Sequence, residues 1–249
     1  LKLFVVFSLV LSSLAVGAFA QTITLGTADN FGLLAASGIT NVSTLAEITG
    51  DVGSSPTPSV TGLIPAQVSG TLFLTASPVT AQAQTDLALG YSQAVAATCG
   101  TDLSGQDLGG MTLAPGVYCF ASSAALTGTL TLDGGGNANA QWIFQIGSTL
   151  TTAVNSIVNL ASASKPGPKK NLNTCAVYWQ VGSSATIGTG SIFVGKILAL
   201  TSITLNGGTL RGGAFASNGA ITMAARETVS ASPCDATRGH HHHCPKTKK

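Results

Sequence analysis

The sequence predicts a mostly β protein: a parallel β-helix of triangular cross-section, a β-solenoid of about six coils, with one long α-helix packed along one face. Three observations predict it. Short strand-like segments recur at an interval of 18 residues. Within each repeat one segment is apolar throughout while the next alternates, so the two occupy different environments. A single stretch between residues 77 and 98 carries the cap and the periodicity of a long helix.

The composition permits such a fold and removes several classes of function. Of 249 residues, 45% are hydrophobic, 8% charged and 6% aromatic; 30 are Gly, and the formal net charge is +2. An ordinary globular chain is about one quarter charged. A mean hydropathy of +0.41 is nevertheless too high for a disordered chain, so the surface must be neutral and built from small polar groups. Phosphate recognition needs clustered Lys and Arg. Outside the extreme C-terminus the basic cluster is Lys165, Lys169 and Lys170 alone, so nucleic acid is not an expected partner. All four His lie at 240–243, which leaves the body without an imidazole base or metal ligand; neither a metal nor a cofactor is expected.

The elements follow in chain order. Lys2, the apolar run Leu3 to Leu14 and the small-x-small site Ala18-Phe19-Ala20 read as a secretory signal peptide, residues 1–20. The protein is then expected outside the cell, as one solenoid domain over 21–234 beginning at Gln21. A membrane span needs roughly 20 apolar residues; Ser8, Ser12 and Ser13 interrupt a shorter run and no later segment is long enough. Gly32 to Thr40 aligns with Gly195 to Thr204 when one gap is allowed, which puts an N-terminal strand in register with C-terminal ones. Ser77-Pro78 supplies an N-cap and a first-turn proline, and Val79, Ala83, Leu87, Tyr91 and Ala94 with Val95 form one stripe. The expected helix, 78–98, would be about 30 Å long and could cover about six coils. Thr131-Leu132-Asp133 and Thr149-Leu150-Thr151 are 18 residues apart, as are Thr186-Ile187-Gly188, Thr204-Leu205-Asn206 and Thr222-Met223-Ala224. The wider gap between 149 and 186 holds an insertion at Ser162 to Thr174. The tail, 235–249, with His240 to His243 and three lysines, reads as disordered or tag-like.

The three faces differ in character. The first strand of the coil (Trp142 to Ile146, Val177 to Val181, Lys196 to Leu200) is apolar enough to be buried on both sides, with the helix as its cover. The second alternates: Leu132, Leu150, Ile187, Leu205 and Met223 point inward, so Thr40, Thr131, Thr149, Thr186, Thr204 and Thr222 point outward in one column. Ser184, Ser202, Thr151 and Asn206 stand beside it, and among the flanking positions only Asp133 is charged. The third strand, with Arg211 and Glu227, reads as an ordinary solvated face. A plane of Thr offers a methyl group beside a hydroxyl that both donates and accepts, so on a rigid lattice it can hold water in crystal-like positions. Thr is also simply a good strand former, and the repeat alone does not separate the two readings.

Ile48-Thr49-Gly50-Asp51-Val52-Gly53, Leu113-Ala114-Pro115-Gly116-Val117-Tyr118, Trp142-Ile143-Phe144-Gln145-Ile146 and Val177 to Thr186 resemble the secreted microbial ice-binding (antifreeze) proteins, over about Leu25 to Cys234. That resemblance implies a right-handed, discontinuous β-helix flanked by one α-helix, with the N-terminal segment closing into the solenoid out of sequence order. It implies a non-enzymatic protein whose partner is the ice crystal surface and which inhibits ice growth and recrystallisation; a monomer is expected. In that family a flat face binds ice, sometimes through a loose Thr-Ala/Gly-x-Thr/Asn pattern; Thr201-Ser202-Ile203-Thr204 is similar to it with Ser in the second place, adding Thr201 to the candidates.

The rival from another class is a matrix or surface protein that binds polysaccharide or a protein partner through the same face. Catalysis is disfavoured because glycoside hydrolysis needs two facing carboxylates about 5 to 10 Å apart, and no acidic pair recurs in the coil register. Gly134-Gly135-Gly136 lacks the Gly-Lys-Ser/Thr ending of a phosphate loop and reads as a corner. The sequon Asn41-Val42-Ser43 falls on an inward column and should be hidden. Cys99, Cys119, Cys175 and Cys234 are disulfide candidates with three possible connectivities, of which 99 to 119 with 175 to 234 is one; Cys244 is left over.

Overall fold

Each coil begins with a strand that is buried on both sides, turns into one that alternates, and returns through a third. In the computed structural model, residues 22–137, 139–161 and 176–231 are described. The leader, the Lys165 cluster, Cys175, Cys234 and the tail lie outside the described residues. Three parallel sheets result, of eight, seven and seven strands. There are thus about seven coils rather than six, because Val60–Thr61 and Ala124–Leu126 each add a strand at opposite ends of the alternating sheet while the strand Thr129–Asp133 belongs to the third.

The first sheet runs from Asp51–Ser54 through Phe31–Ala35, Ala214–Ala216, Lys196–Ala199, Val177–Val181 and Trp142–Ile146 to Gly116–Phe120 and Thr101–Asp102. Its inner side carries an aromatic stack in coil register. Tyr118 lies over Phe144, and Phe144 over Trp179 at 3.9 Å between ring centroids, with Phe193 against Trp179. Both Trp N–H groups are satisfied, on the carbonyls of Leu113 and Val194, as burial of an indole requires. N-terminal strands insert beside C-terminal ones: Leu33 pairs with Ala214 and Thr40 with Thr222. The out-of-order closure expected from the sequence is therefore present.

The outer side of the first sheet is covered by the helix α1, Pro78–Ala96, which ends two residues before the expected Thr98. Leu87, Ala83 and Ala94 pack with Leu34, Ile143, Tyr178, Leu198 and Phe215. The buried stripe differs from the expected one. Thr80, Ala83, Leu87, Gly90 and Ala94 face inward, whereas Val79 and Val95 are 40% and 52% exposed. The reason is a strap at the N-terminus, Ile23 to Asn30, lying against the helix. A Cβ at Gly90 would come within 2.4 Å of Leu25 Cδ2, so glycine is what admits the strap. Thr24 N–H donates to Gln93 and Thr27 N–H to Asp86. Beneath the strap, Lys196 is 4% exposed and paired with Asp29. Ser77 caps the helix N-terminus through Val79 N–H. The Gln145 amide donates to the carbonyls of Ala94, Val95 and Ala97 at the other end, where orphan acceptors need partners. A disulfide between Cys99 and Cys119 ties that end to the first sheet; the second candidate pair lies outside the described residues.

The third sheet departs from its expected character. Arg211 is exposed, but Glu227 is only 1% exposed. It shares inward parity with Val229 and pairs in register with Gly208. Asn41 is 5% exposed, with its amide donating to the carbonyls of Ser43 and Gly62; the acceptor Asn of the sequon is buried, as its column implied. Gly135 and Gly136 have positive φ in the turn after Asp133, so that stretch is a corner. No helix among the described residues is long and apolar enough to cross a membrane.

Candidate functional site

Of the three sheets, the second is the one whose strands carry neither a covering helix nor a charged residue. Its strands alternate: Ile203 and Leu205 are fully buried, and Thr204 between them is not. The pairing is continuous. Thr61 lies beside Thr40, Thr40 beside Thr222, Thr222 beside Thr204, Thr204 beside Thr186 and Thr186 beside Thr151. Six threonines thus stand in one row about 24 Å long at the strand spacing of about 4.8 Å. Ala125 ends the row beyond Thr151, and Asp107 bridges to Ala125. Burial raises the Asp107 pKa, but the N–H groups of Gly109 and Thr127 and the Thr127 hydroxyl outweigh it and hold the carboxyl below its ordinary value. The acid at the border of the face is therefore anchored and ionised.

Two expected members of the row stand elsewhere. Thr131 is on the third sheet, between Thr112 and Asn159. The strand Thr129–Asp133 is the third of its coil, and the turn after Asp133 precedes the next first strand at Trp142. Asp133 leaves the face with it, which makes the plane more uniform than expected. Thr149 stays on the second sheet but two residues from the row, because Leu150 pairs with Ala185 rather than Ile187. A two-residue slip preserves which side chains face out, so the alternation did not reveal it. Thr149, Ser184 and Ser202 form the flanking column, continued by Ala220 and Gly38. Asn206 stands on the other flank beside Gly188 and Ala224, and Thr201 sits exposed at the corner leading into the sheet.

Sequence reasoning missed Thr61 and the end of the row at Ala125. A signal for both was present: Ser59-Val60-Thr61, Gly38-Ile39-Thr40, Ala220-Ile221-Thr222, Ser202-Ile203-Thr204, Ser184-Ala185-Thr186 and Thr149-Leu150-Thr151 share a small or hydroxyl residue, an apolar residue and Thr. In Ser123-Ala124-Ala125 the last position loses its hydroxyl.

Rigidity comes from beneath. Inward residues of the second sheet belong to the same core as the aromatic stack. Thr152, which points in, accepts the Gly188 N–H through its hydroxyl at 2.8 Å. The hydroxyls of Thr186, Thr204 and Thr222 have no protein hydrogen-bond partner among the described residues, so they are open to water; Thr61 donates to Thr40 at 3.3 Å. At the far corner, burial pushes the Glu227 carboxyl up to about 7, opposed by the Gly207 N–H.

Comparison with known proteins places the fold in a family. Residues 33–229 match the family model described as Ice-binding-like. The chain belongs to this family. It is 51% identical over 201 residues to an ice-binding protein of Nostoc sp. (strain HG1), covering 80% of this chain and 71% of that one. It is 31% identical over 222 residues to an ice-binding protein of Leucosporidium sp. (strain AY30), covering 81% of each. Among solved structures, the ice-binding protein of the Antarctic ascomycete Antarctomyces psychrotrophicus superposes with a TM-score of 0.75 at 33% identity, over 84% of this chain and 98% of that one. That structure thus shares the fold on which the Thr row is carried.

Proposed function

We propose that this protein adsorbs to ice through the outer side of its second sheet and so inhibits ice growth and recrystallisation. The observation that carries this reading is the in-register row Thr61, Thr40, Thr222, Thr204, Thr186 and Thr151 on an uncovered, uncharged sheet, in a chain of the Ice-binding-like family. Each Thr presents a methyl group, against which water orders, and a hydroxyl that donates and accepts. Fixed on a packed core, these groups hold a water layer that a growing crystal can incorporate, whereas mobile charged side chains would break it. Thr149 and Asn206 widen the plane, with Thr201 at its margin and Ser184 and Ser202 flanking the row. Adsorption needs no bond-making, and the reading assigns no catalysis. With the leader 1–20 removed, the protein works outside the cell as a single chain, since buried leucines close the solenoid at both ends, Leu63 at one and Leu103 and Leu108 at the other.

The test is a cold-stage microscope with the purified mature protein at micromolar concentration, comparing Thr204→Tyr with Thr131→Tyr. Wild type and the Thr131 variant should shape and pin ice crystals, and the Thr204 variant should not. Unaltered crystals with wild type, together with retention on an insoluble glycan, would favour polysaccharide binding instead.

A further inference from the structure

The flanking column of the second sheet does something different from the Thr row. At the corner where each coil enters this sheet, the residue before the column reaches the previous coil through a backbone carbonyl: Ser183 N–H donates to Ser148 and Thr201 N–H to Ser183, both at 2.9 Å. The column residue itself uses a hydroxyl instead. Thr149 N–H donates to Ser123 Oγ at 3.4 Å, Ser202 N–H to Ser184 Oγ at 3.3 Å, and Ala220 N–H to Ser202 Oγ at 3.3 Å. In all three steps the donor is the register neighbour one coil on. A side chain thus stands where the backbone ladder has no acceptor to offer. Gly219 makes room for it, since a Cβ there would lie 2.4 Å from Ser202 Oγ.

We propose that Ser184 and Ser202 are positioning residues for the adsorbing face, setting the coil-to-coil spacing of Thr186, Thr204 and Thr222 rather than meeting ice themselves. This rests on the reading that the second sheet binds ice. A half-buried N–H without its acceptor is destabilising, so losing the hydroxyl loosens one step of the lattice next to the Thr it carries. The Thr hydroxyls, which have no such duty, remain for water.

Full-length Ser202→Ala and Ser202→Thr test it, with Ser184→Ala as the same test one coil earlier should the first variant fold poorly. Ser191→Ala serves as a control, because its hydroxyl donates to the Ala153 carbonyl on the opposite corner. The readouts are amide hydrogen exchange at Ala220, the freezing-point gap, and melting temperature. Ser202→Ala should speed Ala220 exchange at least tenfold and cut the gap severalfold, and Ser202→Thr should restore both. Ser191→Ala should lower the melting temperature and keep the gap. A reduced gap in Ser202→Ala with unchanged Ala220 exchange would make Ser202 a direct ice contact, and faster exchange with a full gap would show that spacing there is immaterial; either overturns the proposal. Full activity in Thr204→Tyr would instead overturn the assignment of the face, whatever the exchange data show.

Discussion

Glu227→Gln should change how the stability of this protein depends on pH. The carboxyl is 1% exposed on the inward side of the third sheet, and burial raises its pKa from 4.5 to about 7. Below pH 4.5 it is protonated in the folded and unfolded chain alike and contributes no pH dependence. Between 4.5 and 7 the folded state keeps its proton while the unfolded chain releases it, so stability falls as pH rises. Above 7 the fold carries an ionised buried carboxylate at a full cost of about 3 kcal/mol, from 1.36 kcal/mol per pKa unit. Asp86, Asp102 and Asp107 act in the opposite sense. Their hydrogen bonds lower their pKa values, against burial at Asp86 and Asp107, so their stabilisation is lost only below pH 4. Wild type should therefore be most stable near pH 4 to 5, and Glu227→Gln should stay flat from there upward. Denaturant unfolding at half-unit steps from pH 4 to 8 gives the comparison. The difference between the two proteins should grow by about 3 kcal/mol across that window, in favour of Gln; parallel profiles would refute a buried, titrating Glu227.

Other perturbations probe the remaining layers. Leu87→Glu puts an unpaired charge between helix and sheet and should cost on the order of 3 to 5 kcal/mol, read as a fall in melting temperature of about 10 °C or more. Cys99→Ser opens a loop of 20 residues and should cost about 3 kcal/mol at most, with faster amide exchange confined to the end of the helix. Thr204→Tyr and Thr131→Tyr should each shift stability by only about 0.5 kcal/mol, as exposed substitutions do, so that equal melting curves with unequal ice activity isolate the face.

What was legible in the sequence was parity, and what was not was frame. Alternation of Thr with Ile, Leu or Met says which side chains face out, and a slip by two residues leaves that answer unchanged; this is why Thr149 stood in for Thr151. Thr131 entered the row because an 18-residue interval was carried across a coil of different length. Anchoring on the aromatic strands avoids the error, since Trp142 pairs with Gly116 and Leu150 with Ala124, each 26 residues apart. On that frame Thr129–Asp133 becomes the third strand of its coil. Glu227 shows the converse: its parity with Val229 points inward, and that pattern outweighs the charge that suggests a solvated face. Glycine decides the helix stripe. Gly90 against Leu25 is a place where the missing side chain is what another residue fills. A hydrophobicity stripe gives weight to Tyr91 and passes over Gly90, although the close approach of the strap makes Gly90 the buried position. In a solenoid built from small residues, reading the inside therefore requires asking what each glycine makes room for, and the Thr row is flat because Gly219, Gly182 and Gly147 let successive corners approach without a Cβ between them.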